Sequence, residues 1–190
     1  MAAIEVEAAL ASASHALKTL GVNMPQKLSY GHVALKLWKI KRMLRHKTDE
    51  DILSLPTMVN QSMSAAIKLL IHVCSHSLMN ASIKQGVYSA LLAAELTLRF
   101  GLSPYSATSL AVYGMTEVML GNYDKAYRFG ELALTLLQRI ECRAVECLTV
   151  ITARKICMFR KEPLQAIPGP LLRAAELGFE IGEMAYVRVL

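Results

Sequence analysis

The sequence has no apolar run long enough for a bilayer. A spanning helix takes about 20 apolar residues in a row. The charge-free run 100–116 is broken by Gly101, Ser103, Pro104 and Ser106, and the shorter run 69–83 carries His72 and His76. A secretory leader is missing as well: Glu5 and Glu7 stand where basic residues belong, and no long apolar core follows. Cys74, Cys142, Cys147 and Cys157 show no C-x-x-C spacing, so reduced thiols packed among helices in a cytoplasmic protein are the expectation. No recognised nucleic-acid-binding module and no aromatic interleaving accompany the basic residues, which weighs against nucleic acid as a partner. No G-x-x-x-x-G-K-[ST] loop, Gly-rich kinase loop or H-R-D motif occurs, which excludes the phosphate chemistry those elements perform. Period-2 alternation bounded by turn residues, the mark of strands, is absent too.

What is present is helical spacing. The chain is 54% hydrophobic with a mean hydropathy of +0.34, the composition of helices buried on two sides. Residues 2–20 are rich in Ala, Leu and Glu, and Gly21 with Pro25 ends that helix. A second helix over 29–46 places Val33, Leu37, Ile40 and Leu44 on one face, and Thr48 caps a short turn stopped by Pro56. Helices follow over 63–79, over 82–100 ended by Gly101, and from Pro104, in the first turn, to Gly121. Further helices cover 123–140 and 143–160. Pro168-Gly169-Pro170 interrupts the chain before a last piece over 171–181 closed by Gly182. The expectation is one all-α domain over 1–190 of about eight helices, less regular over 1–60 and clearest as hairpins over 61–190.

The small residues Gly114, Ala126 and Ala133 are spaced by twelve and seven, with Gly121 at the turn, Tyr123 beside it and Gly130 between. A tetratricopeptide unit needs small residues at such offsets, because its two helices cross there at close range. Antiparallel hairpins stacked as a right-handed, TPR-like solenoid are therefore expected. A generic hairpin with incidental small residues is the plainer account of the same positions.

Four stretches in order carry a wider likeness: Ile52-Leu53-Ser54-Leu55-Pro56-Thr57-Met58; Phe100-Gly101-Leu102-Ser103-Pro104-Tyr105-Ser106 with Tyr113-Gly114; Gly121-Asn122-Tyr123 with Phe129-Gly130-Glu131-Leu132-Ala133-Leu134; and Gly178-Phe179-Glu180-Ile181-Gly182-Glu183. Together they resemble the helical-repeat region of large multidomain signalling ATPases, in which a kinase-like module and an AAA-type ATPase precede the repeats. Departures are Asn122 where the family carries Asp, and Phe159 as the nearest aromatic before Pro163, where the family carries Trp. The resemblance implies a fragment without catalytic modules. Both ends read as cut from a longer array, since Tyr186-Val187-Arg188-Val189-Leu190 stops one turn into a further helix.

Candidate sites are few. Lys36, Lys39, Lys41, Arg42, Arg45 and Lys47 follow one another without an intervening acid, with Trp38 among them. This basic face suits a membrane surface, calmodulin or an acidic partner; a solvated outer helix face is the plainer reading. His72 and His76 share a helix face but lack further metal ligands at suitable spacing. Tyr105, Tyr113, Tyr123 and Tyr127 surround one hairpin and read as packing before they read as a ligand platform. No catalytic, cofactor or metal residue is assigned. The function expected is a non-catalytic interaction and scaffold segment whose partners are a protein or neighbouring domains, without nucleic acid. The alternative is a membrane-surface- or calmodulin-binding domain using the basic helix.

Overall fold

The structure, a computed structural model, describes residues 2–25, 27–140, 142–180 and 182. It is all-helical apart from one isolated bridge, and no helix among the described residues is long and apolar enough to cross a membrane. The chain parts into two compact units between Ser103 and Pro104.

The first unit holds α1 (Ala2–Thr19), α2 (Tyr30–Leu44), α3 (Asp49–Leu53), α4 (Gln61–Met79) and α5 (Ile83–Phe100). Polar side chains fix where three of these begin. The Ser29 hydroxyl accepts from the His32 N–H, the Thr48 hydroxyl from the Asp51 N–H, and the Asn60 side-chain carbonyl from the Met63 N–H, each relieving an otherwise unpaired donor of a first turn. Gly101 stops α5 with φ +100, and a Cβ there would lie 2.1 Å from the Pro56 carbonyl oxygen. That close approach lets the Leu102 N–H donate to Pro56 and the Met58 N–H donate to Leu102, both at 2.8 Å, around a parallel bridge between Thr57 and Leu102. Ile67, Leu70, Cys74, Ala90, Leu91 and Ala93 form the fully buried seam of α4 and α5.

The second unit holds α6 (Ser106–Met119), α7 (Tyr123–Arg139), α8 (Arg143–Val150) continuing as a π-helix (Ile151–Met158), a 3-10 turn (Leu164–Ala166) and α9 (Pro168–Glu180). Three expectations need correction here. The helix expected over 143–160 changes winding at Ile151 from i→i+4 to the wider i→i+5 pattern. Pro168-Gly169-Pro170 opens α9 instead of breaking a helix, because a first turn has no intrahelical use for the N–H that proline lacks. Pro104 lies two residues ahead of α6, not inside its first turn. The described residues form nine α-helices where about eight were expected, the added one being α3, read from the sequence as a short turn. The expected closing helix 171–181 ends at Glu180; Ile181 and the terminal 183–190 lie outside the described residues.

Candidate functional site

The basic helix is anchored from below by a single carboxylate. Glu95, in the middle of α5, has a side chain only 3% exposed and meets Lys36 Nζ at 2.7 Å, Lys39 Nζ at 2.6 Å and Arg99 Nη1 at 3.4 Å. Burial pushes the Glu95 carboxyl upward, but hydrogen bonds and charge from Lys36 and Lys39 outweigh it and hold the group below its ordinary value. Lys36 also lies 5.5 Å from the centre of the Tyr88 ring. Together with fully buried Ile40, these contacts fix α2 against α5.

The opposite side of α2 faces outward. Leu35 is 65% and Trp38 58% exposed; Arg42 and Arg45 are exposed beside them, and the Arg42 guanidinium lies 5.5 Å from the Trp38 ring centre. Among the basic residues singled out from the sequence, the structure thus separates two roles. Lys36 and Lys39 reach the buried carboxylate, while Arg42 and Arg45 belong to the exposed face and Lys41 is half-buried at its side. Glu95 and Leu35 were missed: Glu95 is distant in sequence, and Leu35, two residues from both Val33 and Leu37, lies on the side of the helix opposite the apolar face read from the sequence.

The small residues of the second unit lie at a helix crossing. Ala126 and Ala133 are fully buried. A Cβ on Gly114 would lie 3.2 Å from the Ala126 carbonyl oxygen and 3.0 Å from Cys157 Sγ, and one on Gly130 would lie 2.9 Å from Met158 Cγ. The π-helix thus supplies the third wall, and the Cys157 thiol donates to the Ala111 carbonyl at 3.5 Å. Gly121 turns the chain with φ +77, and Tyr123 lies under the Arg160 guanidinium at 4.2 Å. Tyr113 is buried edge-on to Phe129, with ring centres 4.6 Å apart. Its hydroxyl donates to Glu117 at 2.7 Å, and the Asn122 amide donates to the other oxygen of the same carboxylate at 2.7 Å. Asn122 therefore pairs with a fully buried carboxylate, a role an Asp cannot fill.

The same arrangement occurs forty positions earlier. In the α4–α5 turn Asn80 donates to His76, Ala81 to Leu78 and Ser82 to Ser77; in the α6–α7 turn Leu120 donates to Thr116, Gly121 to Val118 and Asn122 to Glu117. Ala81, at φ 57, is the counterpart of Gly121. Cys74, Gly86 and Ala93 repeat the twelve-and-seven spacing of Gly114, Ala126 and Ala133, and a Cβ on Gly86 would lie 3.4 Å from the Cys74 carbonyl oxygen. Leu70, Leu92 and Leu96 are matched by Leu110, Leu132 and Leu136, all buried.

Other candidates carry less. His72 and His76 are exposed, the latter bonded through its carbonyl to the Asn80 amide at 2.8 Å. No group of three or more His, Cys, Asp or Glu able to hold a metal occurs among the described residues. Cys74 and Cys157 are buried thiols pushed up to about 12, far from thiolate reactivity. Of the tyrosines, Tyr127 lies 5.4 Å beneath Lys161 and Tyr105 is half-buried. A cleft of about 1100 Å³ in the first unit is lined by His15, Lys18 and Lys84 together with Ser14, Asn23 and Gln85. No family model, curated protein or solved structure matches the chain.

Proposed function

We propose that this chain is a non-catalytic interaction segment built from helical repeats, of the TPR-like kind found in signalling ATPases and kinases. The observation that carries the reading is the recurrence, after forty residues, of one hairpin with the same turn bonds, the same small-residue crossing and the same buried leucines. Recurring hairpins that cannot bury their apolar faces alone are the building principle of repeat proteins, whose use is to present extended surfaces to partners. The period is longer than the ~34 residues of the tetratricopeptide unit and nearer the ~40 of other helical repeats, in keeping with α4 and α5 of 19 and 18 residues. In this reading the segment binds a protein partner or a neighbouring domain and biases the parent's activity through differential affinity for its states.

The alternative, a membrane-surface- or calmodulin-binding domain using the basic helix, demands that the apolar face of α2 be free to enter lipid or a hydrophobic groove. Buried Ile40 and the bonds of Lys36 and Lys39 to Glu95 oppose its release. The test compares proteins captured by the wild-type chain and by Ala126→Trp, which forces the α6–α7 crossing apart. Loss of specific capture in the variant supports a surface borne by the hairpins; equal recovery from both rejects it.

A further inference from the structure

The outer face of α2 has a spacing of its own. Gly31, Leu35, Trp38, Arg42 and Arg45 follow at intervals of four, three, four and three, which places them along one face of the helix. The inner seam of Val33, Leu37, Ile40 and Leu44 has the same rhythm and lies toward α5. The inner seam is buried at Ile40 and half-buried at Val33, Leu37 and Leu44, while the other is open, with a leucine and the chain's single tryptophan followed by two arginines.

Charge selects the occupant. From Ala8 to Thr48 the chain has no Asp or Glu, and the carboxylate that reaches α2 from α5 is already shared by Lys36, Lys39 and Arg99. Arg42 and Arg45 thus present their charge outward beside apolar surface. Trp and Arg are the side chains that most often dominate protein interfaces, and Glu95 holds the helix beneath them in place. Anionic lipid is recognised by clusters of about four to eight outward cations, whereas Lys36 and Lys39 are tied to Glu95 and two arginines stand on the open face.

We propose that the Leu35–Trp38–Arg42–Arg45 face binds an amphipathic helix of a partner protein, one with an apolar stripe and carboxylates flanking it. This deepens the interaction reading above by naming a partner class; its failure leaves the Ala126→Trp comparison free to succeed. Trp38 reports on its own site, so tryptophan emission is the measurement. The probe is a three-heptad helical peptide with Ala at a, Leu at d and Glu at e and g, titrated into the full chain. A peptide with Lys at e and g, and vesicles of phosphatidylserine with phosphatidylcholine, serve as comparisons.

The acidic peptide is expected to shift Trp38 emission to the blue saturably, and more weakly as salt rises. Arg42→Glu with Arg45→Glu is expected to raise the apparent Kd at least tenfold with unchanged circular dichroism, whereas Lys125→Glu on exposed α7 leaves it unaltered. Absence of a shift with the acidic peptide overturns the proposal. So does an equal shift in the charge-reversed variant, an equal shift with the lysine peptide, or a shift produced by the vesicles alone, which would assign the face to lipid.

Discussion

The two hairpin turns follow one backbone path with different residues at the left-handed position, Ala81 in the first and Gly121 in the second. A side chain there costs about 1–2 kcal/mol that glycine avoids, offset in part by the greater freedom glycine has when unfolded. Ala81→Gly is therefore expected to stabilise the protein by about 0.5–1 kcal/mol, and Gly121→Ala to destabilise it by a similar amount. Urea unfolding midpoints measure both, and equal signs for the two substitutions would contradict the shared geometry. The same residue explains why only one of the two hairpins is legible from sequence. Glycine advertises a turn, whereas alanine is a preferred helix former, so Asn80-Ala81-Ser82 passes for part of a long helix or a simple cap. Cys74 at the position of Gly114 hides the crossing in the same way: it is small, but it is not a residue whose presence signals close approach.

Among the elements, helix existence and most boundaries were readable because apolar periodicity and polar caps are local. Helix winding was not. Nothing in Ile151-Thr152-Ala153-Arg154 marks the start of a π-helix; the hydroxyls of Thr149 and Thr152 bond to the carbonyls four residues back, Val145 and Leu148, a contact also made inside ordinary helices. Only contact with α6 and α7 shows what the segment does, bringing Cys157 and Met158 against Gly114 and Gly130. Gly114→Leu is expected to destabilise the protein by about 1–3 kcal/mol or more, since the Ala126 carbonyl oxygen and the Phe129 Cβ both lie 3.2 Å from where its Cβ would sit. Thermal unfolding followed by circular dichroism would register the loss; an unchanged midpoint would mean that the crossing has slack.

For the molecule as a whole, the basic excess of +6 has an internal counterpart in Glu95. Its carboxyl is held below the ordinary value in the folded state by Lys36 and Lys39, against the opposing effect of burial. It therefore contributes stability that is present above the unfolded carboxyl pKa of about 4.3 and is lost as pH falls through the lower folded value. Glu95→Gln is expected to cost about 1–3 kcal/mol at neutral pH, toward the lower end because Lys39 and Arg99 are half exposed. The gap from wild type should close in acid. A gap that persists below that range, in denaturation measured across pH, would assign the cost to packing and not to charge. The basic run was plain in the sequence, but its division into anchored and outward cations was not, because the anchoring carboxylate is 59 residues beyond Lys36 and only folding brings the two together.

The forty-residue recurrence also bears on how such a chain can change length over time. A single codon gained inside α5 or α7 rotates everything beyond it by about 100° and swings Ala93 or Ala133 out of its crossing. A duplication or deletion of one full period leaves every turn and every small residue in phase. Exchange of whole hairpins thus preserves the phase that slippage by one triplet inside a helix destroys, and length variants that alter these helices should differ by multiples of that unit.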